Sequence, residues 1–477
     1  MAHVVVVGGG NAGFSAAHAA AARGREVVLL ERGRPEESGG NSFYTAGAFR
    51  VAHDGLADLA PVLDPDPRHA STVLAAYTPR DFLDDLRKVT AGRTDPVLSA
   101  VLTEESGAAL RWLHGWGLRF RLMYERQSYQ DGEGRHVFWG GLAVGSTDGG
   151  KGLMAQHTRA ASANGVEVRY GVRCTSLIVA EGRVAGVRWE GGEERAESVI
   201  LAAGGFEADP VWRREHLGPG WERALVRGTP LNTGDMLRAA LDAGAARGGD
   251  WGSCHSVAWD AGAAATGDRD LTNRLTRQSY PLGIVVNAQG RRFLDEGADF
   301  RNYTYARYGG EILRQPGGVA YQVFDDAIRP MLRTEEYDAP GASVVIADSI
   351  TELAARLGAE GLPSTVEEFN AGIDESVHFD PSVKDGRASR VSPPKSNWAL
   401  PLRTPPFYAF PVTCGITFTF GGLRADEHGR VLREDGSAMP GLYVCGEMLG
   451  GLFSGNYPGG SGLTAGTVFG RRAGSLA

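Results

Sequence analysis

His3-Val-Val-Val-Val7 followed by Gly8-Gly-Gly-Asn-Ala-Gly13 decides how this chain folds. Four consecutive valines predict a strand buried on both faces, as in a parallel sheet. The glycines supply G-x-G-x-x-G at Gly8, Gly10 and Gly13, and an Ala-rich stretch from Ala12 to about Arg23 predicts a helix that ends at Gly24. Glu26-Val-Val-Leu-Leu30 predicts the next strand, closed by Glu31. Each residue type has a physical task in a dinucleotide-binding βαβ unit. Gly8 permits the tight turn, Gly10 lets a pyrophosphate approach the backbone, Gly13 lets helix and strand pack closely, and Glu31 accepts from a ribose hydroxyl. The alternative is a unit of the same fold that has lost its ligand.

Further along, Gly39-Gly-Asn-Ser-Phe-Tyr-Thr-Ala-Gly47 forms a second Gly-rich polar loop. Strand-to-glycine runs recur at Ser198-Val-Ile-Leu-Ala-Ala-Gly-Gly205 and Gly441-Leu-Tyr-Val-Cys-Gly-Glu447, and Pro458-Gly-Gly-Ser-Gly-Leu-Thr-Ala-Gly466 leads into a C-terminal helix. Both ends of the chain are therefore expected to meet on one extended ligand, with the last helix's N-terminus available to a reduced flavin's anionic ring. No second G-x-G-x-x-G is followed by an acid in a βαβ context, so FAD without a separate NAD(P)H domain is the economical reading.

The 477 residues allow about three domain-sized units, or one large domain with an insertion. With 49 Lys+Arg against 57 Asp+Glu and no dense basic block, the footprint of a nucleic-acid binder is missing. Glycine, at 68 residues, is about twice average usage but follows no G-X-Y period, which places it in loops and close backbone contacts. Cys174, Cys254, Cys414 and Cys445 are widely spaced and suggest neither a disulfide framework nor a zinc site. No metal site is expected, since the 11 histidines include no H-x-x-x-H and no Cys/His cluster. Gly460-Ser461-Gly462 is only part of a hydrolase elbow. A strand-like start, the reducing-compartment cysteine pattern and the lack of an ~18-residue apolar span make a cytoplasmic location the expectation.

Together, the N-terminal fingerprint, Gly-Gly-Asn-Ser from Gly39, Ala202-Ala-Gly-Gly-Phe206, Asn232-Thr-Gly-Asp235 and Pro440-Gly-Leu-Tyr-Val-Cys-Gly-Glu447 resemble the flavoprotein family of fumarate reductases and succinate dehydrogenases. Arg274-Leu-Thr-Arg-Gln-Ser-Tyr-Pro281, Pro393-Pro-Lys-Ser-Asn-Trp398, Cys414-Gly-Ile-Thr-Phe-Thr-Phe-Gly-Gly-Leu423 and Gly455-Asn-Tyr-Pro-Gly-Gly-Ser461 are similar to its tricarballylate dehydrogenase branch. That branch implies oxidation of tricarballylate to cis-aconitate, with electrons passed to a membrane-associated iron–sulfur partner. The resemblance also carries a cofactor set: Gly8, Gly10, Asn11, Ala12, Gly13, Glu31 and Arg32 from the opening unit; Gly40, Asn41, Ser42, Ala46 and Gly47 from the second loop; Arg173, Ala203, Gly204, Asn232, Gly234 and Asp235 from the middle; and Gly446, Glu447, Ser461, Gly462 and Leu463 from the end.

The departures are informative. Thr417-Phe418 stands where fumarate reductases carry a His, Asn456-Tyr457-Pro458 where they carry a carboxylate-clamping Arg, and about Ser279 where their catalytic Arg lies, with Arg277 two residues away. The resemblance therefore does not carry fumarate or succinate as the substrate. Ketosteroid dehydrogenases of the same superfamily place a Tyr before a Pro-Gly turn, which keeps an enone-forming desaturase open. Asn41-Ser42 occupies the likeness of the covalent-flavin position, so FAD is expected to be non-covalent.

The implied fold class is α/β: a Rossmann-like FAD-binding domain, residues 1–251 and 414–477, interrupted by an α+β capping domain, residues 252–413. The Pro-rich segment 393–411 reads as a return hinge. A movable cap excludes water from the reacting centre. Desaturation beside a carboxylate needs a hydride acceptor, a base within reach of the neighbouring proton, and donors or cations for the developing charge. Arg277 is the first candidate, as clamp or proton relay. Tyr457 is a candidate base or donor, Tyr280 is directed by the following proline, His255 falls near a substrate-binding His of the parent family, and Lys395 with Ser396 would complete a polycarboxylate site. Each has a structural alternative: a surface Arg277, a packing Tyr457, a core Tyr280 or His255, a solvated Lys395. Arg301-Asn-Tyr-Thr-Tyr305 reads as one strand face or an aromatic-lined pocket. A non-catalytic flavin electron-transfer component is the hypothesis from a different class.

Overall fold

The computed structural model describes residues 3–138 and 140–477. The valine run forms β1 (His3–Val7), with Val4, Val5 and Val6 wholly buried. After the glycine turn comes helix α1 (Asn11–Ala22), then β2 (Glu26–Glu31), which pairs parallel with β1 from His3 opposite Glu26 to Val7 opposite Leu30. These strands are the middle of a six-stranded sheet, ordered Glu167–Tyr170, β2, β1, Ser198–Leu201, Ala438–Val444 and Arg430–Leu432. All neighbours are parallel except the last pair. The fold class is α/β, as expected, and strands from residue 3 and from residue 438 lie in one sheet. Among the described residues no helix is long and apolar enough to cross a membrane.

The C-terminal helix Ser461–Leu476 packs along α1 at very short range. A methyl carbon on Gly466 would lie 3.2 Å from Ala12 Cβ, one on Gly470 2.6 Å from Ala12 O, and one on Gly474 2.1 Å from Ala16 O. The three glycines recur every fourth residue and so form one stripe on the helix, facing an alanine stripe of α1. Only hydrogen on the last helix's side allows this approach.

A hairpin turning at Glu181-Gly182 joins Cys174–Ala180 to Arg183–Trp189, with Ala180 opposite Arg183. Both turn residues have positive φ, 51° and 76°, as a tight two-residue connection of right-twisted strands requires. Residues 167–170, just before it, belong to the parallel sheet.

By its internal packing the chain divides into two units: residues 1–219, 228–255 and 418–477, and residues 220–227 and 256–417. Residues 220–227 belong to the second because Leu225 and Val226 pair with Gly415 and Ile416. The second unit's sheet contains Ile284–Asn287, Val319–Asp325 and Phe407–Leu423, the last continuing into the first unit. The expected hinge at 393–411 is shorter than anticipated, because residues 407–411 are strand, with Pro411 opposite Tyr321. Helix Ile350–Leu357 is capped as its sequence directs, Ser349 Oγ accepting from Glu352 N at 3.1 Å and Gly358 closing it at φ 68°. Helix Leu362–Ala371 carries Pro363 in its first turn, where a missing N–H costs no helical hydrogen bond. Both helices cover the sheet through Leu353, Leu362, Val366 and Phe369, around Phe324 and Phe410.

The helix contact gives a direct test. Gly470→Val is expected to lower stability by about 1–3 kcal/mol through overpacking against Ala12 and Ser15. Gly115→Ala, where the added carbon meets nothing within 4 Å, should be near neutral in the same thermal-unfolding measurement.

Candidate functional site

The turn after β1 is shaped by backbone proximity. Gly8 has φ 110°, and a Cβ there would stand 2.3 Å from Ala202 O; a Cβ on Gly13 would stand 1.8 Å from Gly8 O. Gly9, which the fingerprint leaves unspecified, is equally constrained, since its Cβ would meet Glu31 Oε2 at 2.7 Å. Gly10 differs: a Cβ there has nothing nearer than Ser42 Oγ at 3.4 Å, so this protein's own packing does not demand glycine. An open face at the one glycine whose task is close ligand approach fits a pyrophosphate lying over it.

Glu31 is nearly buried. Its Oε2 accepts from Gly9 N at 2.6 Å and its Oε1 from Gly33 N at 2.7 Å. Burial pushes its carboxyl up, opposed by those two amides and by Arg32. A carboxylate has further lone pairs, so the acid that fixes the turn retains capacity for a ribose hydroxyl. Beside it, Arg32 Nη1 donates to Leu231 O at 2.7 Å, Thr233 Oγ1 at 2.6 Å and Asp235 Oδ2 at 3.3 Å, and Arg173 Nε donates to Asp235 at 2.7 Å. Arg32, Arg173 and Asp235 are thus one cluster, with Gly234 at φ 77° heading the helix Asp235–Asp242.

Asn11 and Ser42 tie the framework together. Asn11 N donates to Ser42 Oγ at 3.0 Å, and Asn11 Nδ2 donates to Leu463 O at 2.9 Å and Thr467 Oγ1 at 3.1 Å. Asn11 Oδ1 lies 3.0 Å from His157 Nε2, whose ring continues to His18. Burial lowers both histidines, His18 to about 4, so they are neutral near pH 7. The Asn11 side chain is committed to the protein. Ala12 is likewise occupied, against Gly446 and Gly466, and Ala46 and Gly47 pack on Gly149. Gly40, with Gly39, turns the second loop through positive φ. Gly204 at φ 76° lies against Asn232, and Ala203 N reaches Met448 Sδ at 3.1 Å. At the last helix Gly460 is the N-cap, Ser461 is buried with its hydroxyl on Pro458 O at 2.7 Å, and Gly462 has only the Phe418 ring near it, at 3.9 Å.

Two residues absent from the sequence-based set complete this region. Glu207 Oε1 accepts from Asn41 Nδ2 and from Asn232 Nδ2, both at 2.6 Å. Thr419 donates to Glu447 Oε1 through N at 2.8 Å and Oγ1 at 3.1 Å.

The catalytic candidates fall into two sets. His255 and Tyr457 are in the first unit and in contact: ring centroids are 4.7 Å apart, edge to face, with Phe418 stacked on His255 at 5.2 Å and Phe453 edge-on to Tyr457 at 5.4 Å. His255 is fully buried and Tyr457 nearly so. Arg277, Tyr280 and Lys395 are in the second unit, and their geometry corrects the expectations for them. Arg277 is neither a surface residue nor an open clamp. It is wholly buried, with Nη2 on Asp260 at 2.5 Å and Nη1 on the carbonyls of Thr276 and Glu336 at 3.0 and 2.7 Å. Removing a guanidinium from such partners to bind a ligand would leave Asp260 buried and uncompensated. Lys395 is neither solvated nor open. Its ammonium donates to Gly283 O at 2.6 Å, Ser396 is occupied by Asp295, and burial pulls Lys395 down to about 7. Tyr280 is a core residue sharing a 2.6 Å hydrogen bond with Thr304, its phenol pushed up by burial. Arg301 is half-buried instead, with Nη1 on Gln278 Oε1 at 2.6 Å.

Comparison with known proteins agrees with this framework. The chain matches the FAD binding domain family over residues 3–463. It is 28% identical to the fumarate reductase (cytochrome) of Shewanella frigidimarina, over 99% of this chain and 76% of that protein. It is 31% identical to the 3-oxosteroid 1-dehydrogenase of Mycobacterium tuberculosis, over 62% of this chain and 57% of that protein. Among solved structures it resembles the open conformation of a flavocytochrome c3 fumarate reductase, with a TM-score of 0.72 and 25% identity over 99% of this chain and 77% of that one. The fold is also that of the 3-ketosteroid delta1-dehydrogenase from Sterolibacterium denitrificans, with a TM-score of 0.76 and 21% identity over 100% and 99% of the two chains. The chain belongs to the FAD binding domain family and is an FAD-dependent oxidoreductase acting on CH–CH bonds, of the group that includes fumarate reductases and 3-oxosteroid dehydrogenases.

Proposed function

We propose that this protein desaturates a C–C bond next to a carboxylate, with tricarballylate or a related polycarboxylate as substrate and non-covalent FAD as its redox group. The observation that carries the reading is the Tyr457–His255 contact, which puts one phenol among aromatic rings on the loop leading into the last helix. When bound, FAD would supply the two-electron acceptor that the desaturation needs. The chain's residues have the remaining tasks. Glu31 and the open face at Gly10 would hold the ribose and pyrophosphate. Tyr457 donates to an oxygen of the activating group and so opposes negative charge developing there. His255 sets the Tyr457 ring by its edge contact. Residues 252–413 are the proposed capping domain, and a membrane-associated iron–sulfur protein is the proposed electron acceptor of a cytoplasmic enzyme.

The apolar rings around Tyr457 favour a second substrate class. A single phenol in an aromatic wall suits the carbonyl of a cyclic ketone, which needs no cation, so an enone-forming desaturase is the competing assignment.

Three measurements test these statements. Anaerobic addition of tricarballylate should bleach the flavin absorbance while a ketosteroid leaves it unchanged; the reverse result moves the assignment to the ketone. Tyr457→Phe is expected to lower kcat by about 10²-fold with little change in KM. Normal kinetics in this variant would remove that role. Glu31→Gln turns an amide donor toward Gly9 or Gly33, so it should cost about 1–3 kcal/mol of stability and weaken FAD binding about tenfold or more. Unchanged flavin retention on dilution would remove Glu31 from the cofactor set.

A further inference from the structure

Behind the flavin-type loops two carboxyl groups meet over bare backbone. A methyl carbon on Gly205 would lie 2.1 Å from Glu447 Oε1, 2.2 Å from Thr419 Oγ1 and 2.8 Å from Glu207 Oε2. Glu207 is completely buried, while Glu447 keeps part of its surface open. Each carboxyl has one oxygen already engaged. Glu207 Oε1 takes the side-chain amides of Asn41 and Asn232, and Glu447 Oε1 takes the amide and hydroxyl of Thr419. Asn41 Oδ1 in turn accepts from Thr229 N at 3.0 Å. Glu207 is therefore the hub of a network drawn from residues 41, 205, 229, 232, 419 and 447, distant segments that carry much of the flavin fingerprint.

We infer that Glu207 and Glu447 share one proton and that Glu207 is a positioning residue, latching the Asn41 loop, the Asn232 turn and Glu447 into the geometry that receives FAD. Two ionised carboxylates cannot remain in contact in so dry a place, whereas one proton turns repulsion into a charge-assisted hydrogen bond. The proton lies between the two carboxyls, each of which already receives two donors on its other side. Burial and the partner's charge hold the pair's titration well above the ordinary carboxylate range. Asn41, Asn232, Thr419 and Glu447 face Glu207 or its partner, and of these Glu447 alone titrates.

The latch has a pH signature with a definite sign. An ordinary glutamic acid loses its proton near 4.5. From there up to the pair's own titration the folded chain holds one proton more than the unfolded chain, so stability falls as pH rises across that window and levels off above it. Above the pair's titration both carboxylates are charged, the contact opens, and FAD affinity should fall by up to about tenfold per pH unit.

The test uses the FAD-loaded protein and Glu207→Gln, whose side chain still accepts from Asn41 and Asn232 and donates to Glu447 without a shared proton. Wild-type Tm should fall as the pH is raised from about 6, and FAD affinity should fall once the pH passes the pair's own titration, whereas in Glu207→Gln affinity should change less than about twofold over the same range. Infrared spectra should show a protonated-carboxyl band at neutral pH that is lost in Glu447→Gln. That band is read with or without FAD, so failure of the latch is distinguishable from failure of the cofactor assignment. If either variant does not fold, the wild-type band disappearing in step with FAD release supports the latch. An identical pH slope in wild type and Glu207→Gln, or a neutral-pH spectrum unchanged by Glu447→Gln, overturns it.

Discussion

The carbonyl oxygen of Gly8 stands 1.8 Å from where a Cβ on Gly13 would have to be, and the carbonyl of Ala16 stands 2.1 Å from the same point on Gly474. Between these two contacts α1 is pressed against the turn that precedes it and against the last helix of the chain. Close packing of this kind leaves no adjustable layer of side chains, so the positions of β1, α1 and Ser461–Leu476 are set together. The Asn11 amide bonds the last helix at Leu463 and Thr467, which fixes its rotation as well as its distance. A cofactor cradle assembled from residues 452 positions apart is rigid for this reason, and rigid placement is what a hydride transfer needs.

The same constraint explains the polar chemistry around the cradle. Because the glycine contacts exclude side chains, polar groups that remain inside must find partners at short range or stay neutral. Glu31 is held by two backbone amides; His18 and His157 stay uncharged; Glu207 collects two asparagine amides and the neighbouring acid. None of these groups is placed to react. They decide where the loops sit, and the phenol of Tyr457 with its ring partners is left at the loop that opens the last helix.

How much of this is legible in the amino-acid order depends on distance along the chain. The βαβ unit is, because a valine run, three spaced glycines and a terminal acid lie within thirty-one residues and each has a local physical meaning. The Glu181-Gly182 hairpin and the Ser349-to-Gly358 caps are legible for the same reason. Gly9 was not, since its need for a bare Cα comes from Glu31, which also performs the visible task. Glu207 was not, since an acid after Gly-Gly-Phe has no periodicity or spacing that announces two asparagines arriving from residues 41 and 232. The glycine stripe at 466, 470 and 474 was a readable signal, a small residue every fourth position, and it indicates where α1 must lie.

Arg277 shows the limit most clearly. A sequence places a cation near a family position, but only packing shows whether its charge is available. Asp260, seventeen residues earlier, takes the guanidinium at zero exposure for both partners, and three main-chain carbonyls occupy Nη1. A buried pair of this kind holds the second unit's loops in one conformation at the expense of its reactivity, because breaking it strands a charge in a dry interior. A cation that meets a substrate must instead exchange a weak, neutral partner for a strong, charged one.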